Sequence, residues 1–437
     1  MTPEPVGSNV ILGHDPEDAV APELGRRWCD PIGVLDRSSA AWRRVEKRLA
    51  RQPLARLTTA GPRTARWIID EVRAQALEPA AGAPSTRMTA GLISHVAMDE
   101  SILAIAVGPN RFPNRAEFER VGAEMRRARA VFERRGWLDD PASYHRTPPP
   151  MTDVTLTRGW ALGQSYERLW WPSGFEPQRG VPGRERWLEF EKNRTASAWV
   201  LRHPGEQRPW VVCVHGFGTG SVFMDLFSFH AAHLHHDLGV NVAAIVLPVH
   251  GSRKPNRLSG EEFLGFDLMN SVHGLTQAVW DVRRLLSWVR EQEPSAVGIF
   301  GVSLGGFVTS LVSAFESDLD LALAGVPVVD FPELIRHHAP HHLNMRSIEH
   351  NILDGTAQDV HRVVTPLALP VAVPPAARAI FAGMGDRLAT TEQARRLWEH
   401  WEEPETCWFP GSHVGYLWSD KVWRFVDSAF ESRGLAV

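Results

Sequence analysis

Two hydrophobic periods divide this chain. Up to about residue 150, apolar residues recur every three or four positions among Arg and Glu, the spacing of amphipathic helices, over residues 41–51 and 63–75. Residues 87–107 are more uniformly apolar and predict a helix buried on most sides. Residues 115–135 set Phe118, Val121, Met125, Ala128 and Phe132 on one stripe, and Gly136 stops that helix. Pro148-Pro149-Pro150 marks a boundary, after which β-like runs begin at 153–160, 195–201 and 210–214. From there strands (240–247, 297–301, 321–329, 378–383, 405–409) alternate with helices (275–289, 392–401, 421–430). Near-continuous apolar strands separated by helices predict an α/β fold, a mostly parallel sheet covered by helices on both faces. The expected organisation is a helical N-terminal extension over 1–150 and an α/β domain over 151–437. Residues 331–376 fit neither period and read as a lid inserted over the carboxyl edge of the sheet.

Composition narrows the class without naming a function. Across 437 residues, 43% hydrophobic and 22% charged content are those of an ordinary globular protein. A net charge of −4 implies no general attraction to nucleic acid. Three cysteines (Cys29, Cys213, Cys407) cannot all pair, which fits a reducing compartment, and the first twenty residues lack a basic region followed by an apolar core; the expected location is cytoplasmic. The most apolar stretch, 88–107, contains His95, Asp99 and Glu100, whose polarity argues against membrane insertion. Seventeen Trp against three Tyr suggest broad apolar packing surfaces.

The chemistry starts at Gly301-Val302-Ser303-Leu304-Gly305-Gly306. A Gly-x-Ser-x-Gly pattern alone is a weak signal; here a predicted strand precedes it and an apolar helix follows, the context of a nucleophile elbow. Such a turn strains the serine backbone and brings positions 301 and 305 together, so both need to be Gly. A serine hydroxyl needs a base, and the base an orienting acid, which in this fold follow in the order Ser, Asp or Glu, His. Asp386 lies 386 − 303 = 83 residues on, just past the strand 378–383; His413 lies 413 − 386 = 27 residues further, just past 405–409. Both positions are where open α/β sheets place their sites. Asp330, beyond the strand read to 329, is the alternative acid. For the oxyanion hole, one amide comes from Leu304; the second is assigned to Phe217 in His215-Gly216-Phe217-Gly218, with Gly218 as alternative. His215 reads as a structural residue of that loop. His337, His338, His341 and His342 could hold a metal, yet Pro340 interrupts the helix and no acidic ligand stands at a suitable spacing, so they read as part of the lid. Arg253 and Lys254 read as a structural ion pair before an anion anchor.

The HGFG loop, the GVSLGG turn and the placing of Asp386 and His413 make residues from about 150 onward resemble the alpha/beta hydrolase superfamily. The segments His250-Gly251-Ser252-Arg253-Lys254-Pro255 and Gly411-Ser412-His413-Val414-Gly415-Tyr416 are similar to the family of alpha/beta hydrolase domain-containing protein eighteen. The resemblance implies a serine hydrolase fold and an acyl-type substrate. The expected function is therefore a serine hydrolase cleaving a small-molecule, hydrophobic carboxylic ester, without metal or organic cofactor, with Ser303, His413 and Asp386 as its triad. An acyltransferase, thioesterase or amidase would use the same residues. A non-catalytic fold that binds a partner through its helical first part, and a homo-oligomer, are further expectations to weigh.

Overall fold

A computed structural model describes residues 57–76, 87–104, 113–205, 207–339 and 341–437; the helix expected over 41–51 lies outside them. Among the described residues one sheet runs through β1 (Thr155–Ala161), β2 (Gln164–Pro172), β3 (Thr195–Leu201), β4 (Trp210–Val214), β5 (Asn241–Val246), β6 (Val297–Val302), β7 (Leu321–Gly325), β8 (Arg378–Gly383) and β9 (Glu405–Phe409). Its spatial order is β1-β2-β3-β5-β4-β6-β7-β8-β9. The pairs β1–β2, β2–β3 and β3–β5 are antiparallel, and every pairing from β5 to β9 is parallel. The mostly parallel sheet expected from the sequence is thus present, with an antiparallel edge. The chain passes from β4 to β5 on one side and then crosses to β6 on the other, which opens a crevice at the carboxyl ends of β4 and β6.

Strand alternation builds two cores. Ala196, Ala198, Val212, Val214, Ile299, Ala322 and Ile380 face one way and pack with α3 (Arg115–Arg134), α6 (Leu268–Arg290) and α7 (Leu304–Val312). Trp199, Val211, Cys213, Ala244, Phe300, Leu323 and Phe381 face the other way, against α5 (Val222–Ser228) and α12 (Asp420–Glu431). The stripe read on α3 is buried in full, from Phe118 to Phe132. Between β7 and β8 stand α8 (Phe331–His338), α9 (His341–Glu349) and α10 (Gly355–His361). The antiparallel pair α1 (Ala60–Ala76) and α2 (Ala90–Ile102) forms a small cluster of Trp67, Leu92 and Val96. No described helix is long and apolar enough to cross a membrane.

Several elements differ from the sequence reading. β2 was not expected; it returns from β1 through Leu162 and Gly163, both at positive φ (52° and 77°), the two-residue turn that suits strand twist. The short helix α5 was not expected either. The strand expected over 321–329 ends at Gly325, because Val326 takes φ 40° and leaves the sheet.

Candidate active site

Ser303 sits where β6 turns into α7, at φ 58° and ψ −116°. A non-glycine residue there is strained, and the surrounding structure has to hold it. Its N–H donates to the Gly325 carbonyl at 2.8 Å and its carbonyl accepts from Phe307 at 3.0 Å. The flanking glycines are demanded by contact: a Cβ on Gly301 would strike the Gly305 carbonyl, and one on Gly305 the carbonyl of Val214. The turn is pressed between β4 and β6, so the partly exposed Ser303 side chain stands over the crevice.

The loop after β4 lies directly beside it. A Cβ on Gly216 would be 3.4 Å from Ser303 Cβ. His215 fixes this loop: its Nε2 accepts the Leu247 N–H at 3.0 Å, so Nδ1 carries the proton and donates to the Gly216 carbonyl at 2.7 Å. Among the described residues, the N–H groups of Leu304, Phe217 and Gly218 make no hydrogen bond, so both of the amides weighed for the second donor are free near the serine.

The loops after β8 and β9 zip together, Met384 N–H donating to Phe409 (3.0 Å) and Gly385 N–H to Gly411 (2.9 Å). That pairing brings Asp386 and His413 into contact, Nδ1 to Oδ2 at 2.7 Å. Asp386 Oδ1 accepts the N–H groups of Leu388 (2.9 Å) and Ala389 (2.8 Å), so the carboxylate is held on both oxygens. With Nδ1 donating, the neutral ring carries its lone pair on Nε2. Nε2 makes no hydrogen bond among the described residues, and neither does Ser303 Oγ, so the structure joins acid to base and leaves serine and base unbonded on the same edge. Such contacts often tighten only around substrate. Burial alone would lower the His413 pKa; the Asp386 charge and hydrogen bond, with the Asp99 charge, outweigh it and raise it above the ordinary value.

Asp330 is placed elsewhere. Its Oδ1 caps α8 by accepting the Glu333 N–H at 2.9 Å, and its Oδ2 faces Arg396 at 3.3 Å. Arg253 is buried and hydrogen-bonds Asp281 at 2.8 Å, together with the carbonyls of Val246 and Asn193. His338 Nε2 meets the Leu388 carbonyl at 2.8 Å, and among the described residues no group of His, Cys, Asp or Glu is arranged to hold a metal ion.

One residue of the site escaped the sequence reading. Asp99 of α2, seen there only as a charge within an apolar stretch, has a fully buried carboxylate whose Oδ2 accepts the backbone N–H of His413 at 2.9 Å and of Arg387 at 3.0 Å. Burial pushes its carboxyl up to about 6; the Asp386 charge adds to the rise, while His413 and the two amides hold it back. The signal for it was two adjacent acids, Asp99 and Glu100, inside a helix that otherwise buries apolar residues.

Residues 188–330, from before β3 to the start of α8, match the model of the family described as alpha/beta hydrolase domain containing 18. The uncharacterized proteins MT2702 and Rv2627c, from two strains of Mycobacterium tuberculosis, are each 42% identical over 355 residues, spanning 80% of this chain and 85% of theirs. Among solved structures, acetyl xylan esterase 1 from Thermoanaerobacterium sp. JW/SL YS485 aligns with a TM-score of 0.46 at 14% identity, covering 68% of this chain and 91% of that one. The chain belongs to the alpha/beta hydrolase superfamily, in the same family as these two mycobacterial proteins.

Proposed function

We propose that this chain is a serine hydrolase that cleaves a carboxylic ester through an acyl-enzyme. The observation that carries the reading is the Asp386–His413 hydrogen bond, which leaves a bare imidazole nitrogen on the edge where Ser303 stands on its strained turn. Ser303 Oγ bonds to the carbonyl carbon as its proton passes to His413 Nε2. The oxygen of the tetrahedral adduct takes its negative charge towards the amides of Leu304 and Phe217, which serve as the oxyanion hole. Collapse breaks the bond to the alkoxy oxygen, and His413 returns the proton so that an alcohol leaves. Water then adds to the acyl-serine, giving its proton to the same nitrogen; the second collapse returns that proton to Ser303 and releases the acid. Asp386 keeps the ring in the tautomer that can accept at Nε2 and stabilises the imidazolium that forms.

The test is covalent labelling with a fluorophosphonate probe, together with hydrolysis of p-nitrophenyl acetate. The expected result is stoichiometric labelling of the native chain and none of Ser303→Ala. A native chain that stays unlabelled and inactive, or a Ser303→Ala variant that labels equally, removes the reading.

A further inference from the structure

The acid–base loops do not stand alone at the sheet edge. The helix α2 from the first part of the chain lies across them: a Cβ on Gly385 would press on Leu92 at 2.7 Å and on Val96 at 3.1 Å. From this helix comes Asp99, whose carboxylate has no solvent exposure and whose oxygens meet the main chain of both loops. Oδ2 takes the N–H of Arg387, next to Asp386, and the N–H of His413; Oδ1 lies 3.5 Å from the N–H of Val414. The adjacent Glu100, also fully buried, holds the same junction through an ion pair to Arg387 at 2.8 Å and another to Arg63 of α1 at 2.6 Å. A buried carboxylate is stable only where charges and donors answer it. Here the answering groups are the acid and base loops of the candidate site, 288 and 314 residues further along the chain.

We infer that Asp99 is a positioning residue of this site: its carboxylate clamps the backbone next to Asp386 and at His413, fixing the ring for proton transfer, and its negative charge favours the imidazolium of His413. This rests on the hydrolase reading. Its hydrogen bonds among the described residues go to the main chain of the two loops, so it works through His413. The charged and titratable groups around it are Asp386, His413 and Arg387 in the loops, with Glu100 on its own helix, Arg63 behind Glu100, and His95 one turn earlier on that helix, its Nδ1 set against Gly411 and Gly415 on either side of His413. An asparagine at this position still offers one oxygen to the two amides and removes the charge, whereas alanine removes both. The two substitutions therefore separate the clamp from the field.

Two readouts are taken on the full chain: the rate of fluorophosphonate labelling at Ser303 from pH 5 to 9, and the titration of the His413 ring by NMR of carbon-13-labelled histidine, its signal identified by its loss in His413→Gln. For Asp99→Asn the expected outcome is a His413 midpoint lowered by about half a unit or more, the pH profile of labelling moving with it, and a several-fold slower plateau. For Asp99→Ala the plateau falls by a further factor of about ten, through a slower chemical step rather than weaker probe binding. Folded variants in which the midpoint, the profile and the plateau all match the native chain overturn the inference. If the native chain does not label at all, the hydrolase reading fails, while the His413 titration still decides whether Asp99 acts on the ring. If neither variant folds, hydrogen exchange in the native chain takes over. The amides of Arg387 and His413 are expected to exchange at least a hundredfold slower than exposed loop amides, and free exchange at both overturns the clamp.

Discussion

Asp330 and Asp386 both follow strands in the sequence, and what separates them is what their oxygens already hold. Asp330 spends one oxygen on the first turn of α8 and turns the other to Arg396; Asp386 gives one to the amides of its own loop and the other to His413. Asp386→Asn, which loses the carboxylate that orients the ring, is expected to lower kcat/KM by a factor of about 10³ to 10⁴ with little change in stability. Asp330→Asn should leave kcat/KM within about twofold, because asparagine still caps a helix. A steady-state assay of the two variants decides between them, and equal losses would remove Asp386 from its role. The elbow glycines carry a second residue-scale prediction. Gly305→Ala puts a methyl group into the Val214 carbonyl, where only backbone can yield, so it should cost more than about 4 kcal/mol in urea unfolding or prevent folding outright. The placing of Ser303, Asp386 and His413 at strand ends was legible because the apolar pattern already marked β6, β8 and β9. Asp99 was not, since its partners at 387 and 413 are joined to it only by the fold.

Elements were legible where one period ran unbroken. β3, β4, β8 and β9 appear where their apolar runs stand, and α3 has the stripe that five residues announced. β2 was hidden because its sequence, QSYERLWWP, sets Glu and Arg in mid-strand, and its edge-side exposure alternates imperfectly. α6 begins at Leu268, earlier than its amphipathic pattern suggested, because its first turns are buried on nearly every side and include Asn270, Ser271 and His273. Asn270 bonds Arg186 and Glu262, Ser271 the Phe263 carbonyl and His273 the Pro182 carbonyl, while further along the helix Gln277 and Asp281 anchor a buried network that no periodicity shows. Gln277 accepts from Trp187 Nε1 and Asn193, and Asp281 accepts from Ser173 and Arg253. The Arg253-Lys254 pair resolves here into unlike halves: Arg253 ties the loop after β5 to α6, while Lys254 bonds only the Arg257 carbonyl at the surface. Asp281→Ala would strand a buried guanidinium, at a cost of about 3 to 5 kcal/mol. Lys254→Ala should change stability by less than about 0.5 kcal/mol. Urea midpoints of the two variants check this, and a small loss at Asp281 would mean that Arg253 reaches water.

Across the whole molecule, protonation sets stability and activity against each other. Burial lowers the pKa of His145, His235, His273 and His337 to about 4 and that of His338 to about 3, and it also lowers those of His250, His361 and His400. The unfolded chain takes up these protons near pH 6.5 and the folded chain only well below it, so stability must fall as pH drops from about 6.5 towards 4. Asp99 runs the other way: the folded chain keeps its proton up to about 6, so its contribution is present at low pH and lost as pH rises towards that value. Burial raises Glu262 and Glu333 in the same sense as Asp99 and lowers His230 with the other rings, so three carboxyls stand against nine rings and the sign of the sum is unchanged. Above 6.5 the balance reverses. His413, raised mainly by Asp386, and His233, raised by Asp427 and Asp237 against the opposing effect of burial, stabilise the fold as imidazoliums and lose that contribution as pH climbs through their raised values. Yet in the proposed mechanism Ser303 gives its proton to a neutral His413, so kcat/KM should rise over that same interval. The expected result is a urea midpoint that climbs from pH 4 to about 6.5 and then declines, and an ester-hydrolysis rate whose acid limb is centred above 6.5. The pH of greatest stability thus lies below the pH of greatest activity, and a midpoint that falls between pH 4 and 6.5, or an acid limb centred below 6.5, would contradict this account. In Asp99→Asn the climb in the midpoint should steepen, because one of the carboxyls opposing the histidines has been removed.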